Sequence, residues 1–203
     1  AHRTGVRGEI VFVSDDASLF LGNDDLVQSA HPAVRRLATE LRAEHSADVD
    51  FARAAFDWVR DNVGHSYDGQ DSRVTLAAGE VLRERVGLCY AKSVLLAALL
   101  RSQGVPAGLC YQRLGNPHEG FVVHGLVALW LDGAWHRQDP RGNKMGIDAQ
   151  FSLDVERLAF PIDESVGECD YPRLYASPAP EVVQALRGAD DILTTPLPSS
   201  LTL

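Results

Sequence analysis

Cysteine is scarce in this sequence, which contains only Cys89, Cys110 and Cys169. An odd, widely spaced set of three is a poor disulfide framework and lacks the paired spacing of a zinc site. The seven histidines are scattered and form no H-E-x-x-H motif. The sequence therefore favours a reducing, cytoplasmic location, and we expect neither a metal nor another cofactor.

The sequence also lacks a net positive charge and long apolar runs. The 19 Lys and Arg residues are outnumbered by 28 Asp and Glu residues, which gives a formal net charge of -9. An acidic surface opposes binding to a phosphate backbone. The longest apolar run, residues 93–100, is too short to cross a bilayer, and the sequence shows no signal-peptide pattern, which leaves a removed one open. We therefore expect neither nucleic acid nor a membrane as a partner.

The first half of the chain carries helical patterns. Apolar residues recur at helical spacing over residues 31–45, 48–64 and 75–87, and a longer apolar helix is expected from Cys89 onward. Pro32 suits the first turn of the first helix, Thr75 is expected to cap the third, and Gly104 ends the fourth. With 203 residues, 45% of them hydrophobic, we expect a single domain over residues 1–203.

Strand patterns follow the helices. Segments rich in β-branched and aromatic residues predict strands over residues 107–114, 121–131 and 134–139. A short strand or ordered arm is also expected over residues 8–13. This order predicts an α+β domain, with a helical N-terminal half packed on an antiparallel sheet. We place the core at about residues 48–145. Residues 146–203 form an extension with a short helix within residues 177–188 and a loose tail over the last ten residues.

Cys89 lies at the predicted start of a helix, directly before its apolar run. Unpaired backbone N–H groups and the positive end of the helix dipole favour a thiolate at that position. A packed core thiol is the alternative interpretation of a single cysteine beside apolar residues. The position therefore indicates a nucleophile only if the chain also supplies a base and an acid.

The hairpin around Asp132-Gly133 supplies that pair. This dipeptide is a strong signal for a two-residue turn, which would place Leu131 opposite Ala134. In that register His124 faces Arg141, and the side chains of His124 and Asp139 share one face of the sheet. A histidine satisfied in the core and an aspartate that starts a turn are the alternatives.

Together the three residues predict a division of labour. Cys89 would be the nucleophile, and His124 would take its proton and later protonate a leaving group. Asp139 would hold the required tautomer of His124 and stabilise its charged form. The backbone N–H of Cys89 could donate to an oxyanion. The joint occurrence of these features favours catalysis over three unrelated structural roles.

These segments resemble the transglutaminase-like superfamily, in its bacterial branch. The matching stretches are AGEVLRERVGLCYAKSVLLAALLRSQGVPAG, FVVHGLVALWLDGAW and RQDPRGN, preceded by VRDNVGHSYD. The resemblance implies a papain-like core with a Cys–His–Asp triad formed by Cys89, His124 and Asp139. It also implies acyl-transfer chemistry on amides through a thioester acyl-enzyme.

The sequence departs from parts of that family. HGLVAL lacks the aromatic residue and glutamate that often follow the triad histidine, and Tyr90 replaces the tryptophan typical of animal transglutaminases. No acidic loop resembles their calcium sites. These departures favour hydrolysis over protein cross-linking.

Four further residues are weaker candidates for substrate or oxyanion binding. Gln112 could donate to an oxyanion or simply lie at a sheet edge. His65 and Tyr67 could line the cleft or belong to an ordinary loop. Arg141 could contact a substrate carbonyl or carboxylate, or pair with a neighbouring acid. Lys92, one turn after Cys89, is expected to face solvent.

The sequence therefore predicts a cysteine enzyme that acts on peptide, protein or small amide substrates and favours hydrolysis. A cysteine protease or amidase proper is the alternative within enzymes, because the same acyl-enzyme serves both reactions. The alternative from another class is a non-catalytic binding module that kept the fold. Nothing in the sequence indicates the oligomeric state.

Overall fold

The computed structural model describes Phe12 and residues 16–203. The strand expected over residues 8–13 lies outside the described residues, apart from Phe12, which is buried. Residues 16–203 contain the helices α1 (Pro32–Glu44), α2 (Asp48–Asn62), α3 (Ala78–Glu84), α4 (Cys89–Ser102) and α5 (Pro180–Arg187). They also contain the strands β1 (Gly64–His65), β2 (Val86–Gly87), β3 (Ala107–Asn116), β4 (Gly120–Leu131), β5 (Ala134–Gln138) and β6 (Cys169–Asp170).

The first two helices form where their apolar spacing predicts. Pro32 occupies the first turn of α1, and the His31 side chain caps that helix by accepting from the N–H of Ala33. Each helix buries one face, with Val34 and Ala38 in α1 and five residues that include Phe51 in α2. Both helical predictions are confirmed.

The third helix begins later than predicted. α3 starts at Ala78 and has no side-chain cap. The hydroxyl of Thr75 donates instead to the carbonyl of Val86, 2.7 Å away. The predicted cap is therefore wrong, because the N-cap position falls on Ala77, two residues after Thr75.

α4 is the central element of the core. It begins at Cys89, as predicted, and every residue from Cys89 to Arg101 is buried. A helix that is buried all round packs against neighbours on every side, and α4 contacts α1, α2, α3, β3 and β4. Leu88, which precedes it, offers no side-chain cap. The first N–H groups of α4 are therefore free of any capping side chain.

The main sheet is antiparallel in the order β5-β4-β3-β6. At the β4–β5 hairpin, Leu131 pairs with Ala134 and Trp130 with Trp135, as the sequence predicts. Asp132 and Gly133 both have positive φ, +52° and +80°, as a two-residue turn of this hand requires. The α+β class and the hairpin register are confirmed.

The ladder ends earlier than that register implies. Its last pair joins Val127 to Gln138, so Asp139 lies just past the end of β5. The predicted facing of His124 and Arg141 across this ladder is therefore wrong, because the chain turns away at Pro140.

The final residues are not a loose tail. Leu201 is buried, and the carbonyl of Pro198 accepts from the N–H of Val123, 2.8 Å away. The prediction is wrong because the segment has no periodic pattern, yet the buried Leu201 side chain and the hydrogen bond to the edge of β4 hold it in place. Among the described residues, the structure contains no helix with the length and apolar character needed to span a membrane.

Candidate active site

Three elements bring the predicted triad together. Cys89 opens α4, His124 lies in β4, and Asp139 follows β5. The Nε2 atom of His124 lies 2.8 Å from Oδ2 of Asp139, which confirms the predicted contact on one face of the sheet. The N–H of Gly125 donates to Sγ of Cys89 across 3.4 Å. All three side chains are buried, and their catalytic roles stay predictions.

The edge of β4 explains how a helix and a strand meet there. Backbone groups of alternate residues point to the same edge of a strand, and those of Val127 and Leu129 point toward β5. Beyond Val127 this edge has no strand partner. The start of α4 takes that place, because the Tyr90 hydroxyl donates to the carbonyl of Val123 and Gly125 donates to the Cys89 sulfur.

This close approach needs a glycine. A Cβ atom at Gly125 would lie 2.8 Å from Cδ1 of Tyr90 and 3.4 Å from its Cα atom. Real Cβ atoms do not come that near to a ring carbon, so a side chain at residue 125 would push α4 away from β4. Gly125 therefore fixes the position of the sulfur beside the sheet.

Asp139 is completely buried and fully hydrogen-bonded. Its oxygens accept from the N–H of Arg141 at 3.2 Å and from the N–H of Ala159 at 3.0 Å, besides their contact with His124. Burial would raise the pKa of this carboxyl, but the charge of His124 and these hydrogen bonds outweigh it and lower the pKa. Asp139 is therefore a fixed anion at neutral pH.

His124 is held in its charged form. Burial favours the neutral ring, but the Asp139 carboxylate and the neighbouring Cys89 sulfur act in the opposite direction and raise the pKa of His124 to about 10. Its Nε2 is engaged by Asp139, so Nδ1 is the nitrogen left for proton exchange. The ring of Phe160 packs edge-on against the imidazole, with 5.2 Å between ring centroids. The site therefore places an imidazolium beside a thiol.

His65, the last residue of β1, and Tyr67, on the loop that follows, lie near this pair. His65 is buried, and its Nδ1 accepts from the N–H of Tyr67 at 3.2 Å, which requires a neutral ring. Burial and the nearby Arg141 lower the pKa of His65 to about 3. Tyr67 is 37% exposed, and burial together with the nearby Cys89 raises its pKa. Tyr67 therefore lies at the open side of the site.

The Arg141 side chain forms an ion pair with Asp68, which lies on the loop after β1. Its guanidinium binds both oxygens of Asp68, at 2.8 and 3.0 Å, and Lys144 reaches the same carboxylate at 3.1 Å. This geometry matches the second of the two interpretations, pairing with a neighbouring acid. Because the N–H of Arg141 also binds Asp139, this residue connects the Asp139 loop to the loop that carries Tyr67 and Asp68.

Gln112 pairs directly with His124 in the β3–β4 register and is fully buried. Its Nε2 donates to Oδ1 of Asp170 at 2.9 Å, and Arg137 binds the same oxygen at 2.6 Å. The amide therefore belongs to a polar cluster beside His124. Its role in oxyanion or substrate binding stays a prediction.

Lys92 does not face solvent, so that prediction is wrong. The side chain is completely buried, and its Nζ donates to the carbonyls of Val63 and, at 3.3 Å, of Arg60. These carbonyls lie at the end of α2, where the last turn leaves acceptors free. Burial and the nearby Arg141 lower the pKa of Lys92 to about 7. Lys92 therefore joins α4 to the chain that leads into His65.

Sequence reasoning missed Asp68, Ala159, Phe160 and Asp170. Each contacts a predicted site residue from a loop or a very short strand, far away in sequence. No periodicity or spacing could have identified them. Three of the four belong to the extension after residue 145, so that extension completes the site. Among residues 16–203, His, Cys, Asp and Glu side chains form no group of three suited to hold a metal ion.

The sequence matches the family model of the transglutaminase-like superfamily over residues 35–140. That range contains Cys89, His124 and Asp139. No curated protein matches the chain.

Two solved bacterial structures are similar to this chain. A candidate cysteine protease from Cytophaga hutchinsonii is 21% identical in sequence and has a TM-score of 0.52. The match covers 64% of this chain and 43% of the protease chain. The periplasmic domain of TgpA from Pseudomonas aeruginosa, bound to ethylmercury, is 24% identical in sequence and has a TM-score of 0.44. The match covers 54% of this chain and 43% of the TgpA chain. The chain thus covers less than half the length of either protein.

Proposed function

Because the chain belongs to the transglutaminase-like superfamily, we propose that it is a cysteine enzyme that breaks amide or peptide bonds through a thioester on Cys89. One observation carries the proposal: His124 binds Asp139 at 2.8 Å, and the next residue, Gly125, binds the Cys89 sulfur at 3.4 Å. A single stretch of β4 thus serves both the acid–base pair and the nucleophile.

The first half of the reaction forms the thioester. The Cys89 thiolate adds to the substrate carbonyl carbon, and the electron pair of the C=O bond moves to oxygen. The N–H of Cys89, at the uncapped start of α4, would donate to that oxyanion. The C–N bond then breaks, and the amine leaves with a proton from Nδ1 of His124.

The second half releases the acyl group. Neutral His124 takes a proton from water, and the hydroxide adds to the thioester carbonyl. The C–S bond breaks, the carboxylic acid leaves, and the thiolate–imidazolium pair is restored. Asp139 keeps its charge throughout and holds the ring through Nε2.

We propose hydrolysis rather than protein cross-linking, with peptides, proteins or small amides as substrates. The departure at Tyr90 supports this choice, because this residue stands where animal transglutaminases typically have a tryptophan. The three cysteines are free thiols, which supports a reducing compartment such as the cytoplasm.

An acyl-enzyme trap tests the proposed function. The protein is incubated with a library of peptides and small amides, quenched in acid, and analysed by peptide mass spectrometry. We expect an acyl adduct on Cys89, and none on Cys110 or Cys169. Active members are then assayed with water and monodansylcadaverine as competing acceptors. The absence of any Cys89 adduct would refute the proposed function. Amine incorporation faster than hydrolysis would show that the protein is a transamidase.

A further inference from the structure

Residues 192–201, here called the strap, run from the loop between β1 and α3 to strand β4. At one end, the N–H of Ile192 donates to the carbonyl of Ser72 at 3.0 Å, and Ile192 is buried. Ser72 belongs to the loop that also carries Tyr67. The strap is therefore fixed at this end to the loop between β1 and α3.

At the other end the strap binds the sheet. The carbonyl of Pro198 accepts from the N–H of Val123 at 2.8 Å, and the carbonyl of Ser199 accepts from the Arg113 side chain at 3.2 Å. Leu201 is 6% exposed, and its N–H donates to the Tyr171 hydroxyl at 3.0 Å. The strap is thus held at both ends by backbone hydrogen bonds and buried side chains.

The sheet contact lies next to the nucleophile. Val123 and Gly125 are two residues apart in β4, so their N–H groups point to the same edge and are roughly 7 Å apart. Gly125 binds the Cys89 sulfur, and Val123 binds Pro198. The strap therefore occupies the backbone position directly beside the reacting thiol.

An extended substrate would use that same edge. Peptides commonly bind an exposed strand edge through backbone hydrogen bonds, and Val123 offers the first donor beyond the thiol. Pro198 already takes this donor. Pro196 and Pro198 lack an N–H group, so the strap cannot act there as a new edge strand for another chain.

We propose that the strap closes the cleft on the Val123 side and limits the enzyme to amides that extend from the reacting carbonyl in one direction only. Such substrates are the ends of peptide chains and small amides, while internal peptide bonds are excluded. This specificity rests on the proposed function.

Two probes with the same electrophile test the proposal in the full chain. Both probes carry a trans-epoxysuccinyl group in line with the main chain, which alkylates thiols. The short probe has a tetrapeptide amide on one carboxyl of that group and a methylamide on the other. The long probe has a tetrapeptide amide on both carboxyls. Alkylation rates at Cys89 are measured by mass spectrometry. In the unmodified protein we expect the long probe to react at least tenfold more slowly than the short one.

Release of the strap should remove the difference. Leu197 packs partly buried against the core and Leu201 is buried, so Leu197→Ser with Leu201→Ser should free the segment. We expect the long probe to react at least tenfold faster and the short probe to stay within twofold. Leu203→Ser is the matched control, because Leu203 is 91% exposed, and it should change neither rate.

Equal rates for the two probes in the unmodified protein would overturn the proposal, as would a long probe that stays slow after release. If the double variant loses its helical circular dichroism, a protease site inserted between Gly188 and Asp190 allows the folded protein to be cut instead, and the same criterion applies. Alkylation requires no turnover. A protein that alkylates selectively but cleaves no amide would therefore refute the proposed function and leave the strap result readable.

Discussion

The backbone N–H of Gly125 donates to the sulfur of Cys89, while the side chain of the preceding residue, His124, is held by Asp139. One dipeptide thus presents a hydrogen-bond donor and an imidazolium to the same thiol. Both groups stabilise negative charge on sulfur. The nucleophile is therefore prepared by two neighbouring residues of a strand and not only by its own helix.

Alkylation of Cys89 should persist at acidic pH. His124 keeps its proton up to a pKa of about 10, so its charge is present throughout the neutral range. We expect iodoacetamide to react faster with Cys89 than with Cys169 at pH 6, because the neighbouring imidazolium favours negative charge on the sulfur. His124→Gln should lower the rate at pH 6 by about tenfold.

Cys169 provides an internal reference for this experiment. It is partly exposed, and burial raises its pKa above that of a free thiol. Site-resolved mass spectrometry gives both profiles from one sample. If Cys89 and Cys169 show the same pH profile, the charge of His124 does not activate the nucleophile.

The triad should act as a unit in turnover. Cys89→Ala should abolish amide cleavage without loss of the fold, because alanine is compatible with the first turn of α4. His124→Ala should reduce turnover nearly as much. Asp139→Asn should be severe but less complete, because a thiol and an imidazole remain.

Double variants test whether the losses are independent. Residues that act together give strongly non-additive effects, so Cys89→Ala with His124→Ala should lose no more than Cys89→Ala alone. The measurement is kcat/KM on a substrate identified by the acyl-enzyme trap. Full activity of Cys89→Ala would disprove the cysteine mechanism.

The pairing of His124 with Asp139 should stabilise the fold in a pH-dependent manner. The folded pKa of His124, about 10, lies above the unfolded value of about 6.5. Its contribution is therefore complete below about pH 6.5 and is lost as pH rises through about 10. Asp139→Asn should cost about 1.5–3 kcal/mol of unfolding free energy near pH 6 and much less at pH 10. Urea denaturation at both pH values measures this, and an equal cost at both would contradict it.

His65 should limit stability on the acid side. Its folded pKa of about 3 lies below the unfolded value of about 6.5, so the unfolded chain binds more protons between these values. Stability should fall as pH drops below about 6.5. The Asn side chain in His65→Asn can still accept from the N–H of Tyr67. When the pH falls from 7 to 4.5, the unfolding free energy of this variant should drop by about 2 kcal/mol less than that of the unmodified protein.

An exposed histidine gives the control for that comparison. His118 is exposed, so His118→Asn should leave the acid dependence unchanged. Urea denaturation at pH 7 and 4.5 on all three proteins separates the two sites. An identical acid dependence in His65→Asn and the unmodified protein would show that His65 is not forced to be neutral.

Local sequence determined the framework of this site. The apolar run after Cys89 sets the start of α4, and Asp132-Gly133 sets the register that brings His124 and Asp139 to one face. Both features depend on nearby residues, since α4 has 14 residues and His124 and Asp139 are 15 positions apart, and helical and strand periodicities fix side-chain directions over such distances. These features were therefore predictable from the sequence alone.

Only the tertiary structure decided how that framework is completed. Lys92 is buried because α2 ends beside α4 with free carbonyls, and Arg141 turns to Asp68 because the opposite wall brings a carboxylate within 2.8 Å. The strap lies against β4 because the edge of this strand beyond β5 presents the N–H of Val123 to the carbonyl of Pro198. Each of these contacts joins residues far apart in sequence, and no local pattern encodes which free acceptor, charge or strand edge a folded chain will bring near.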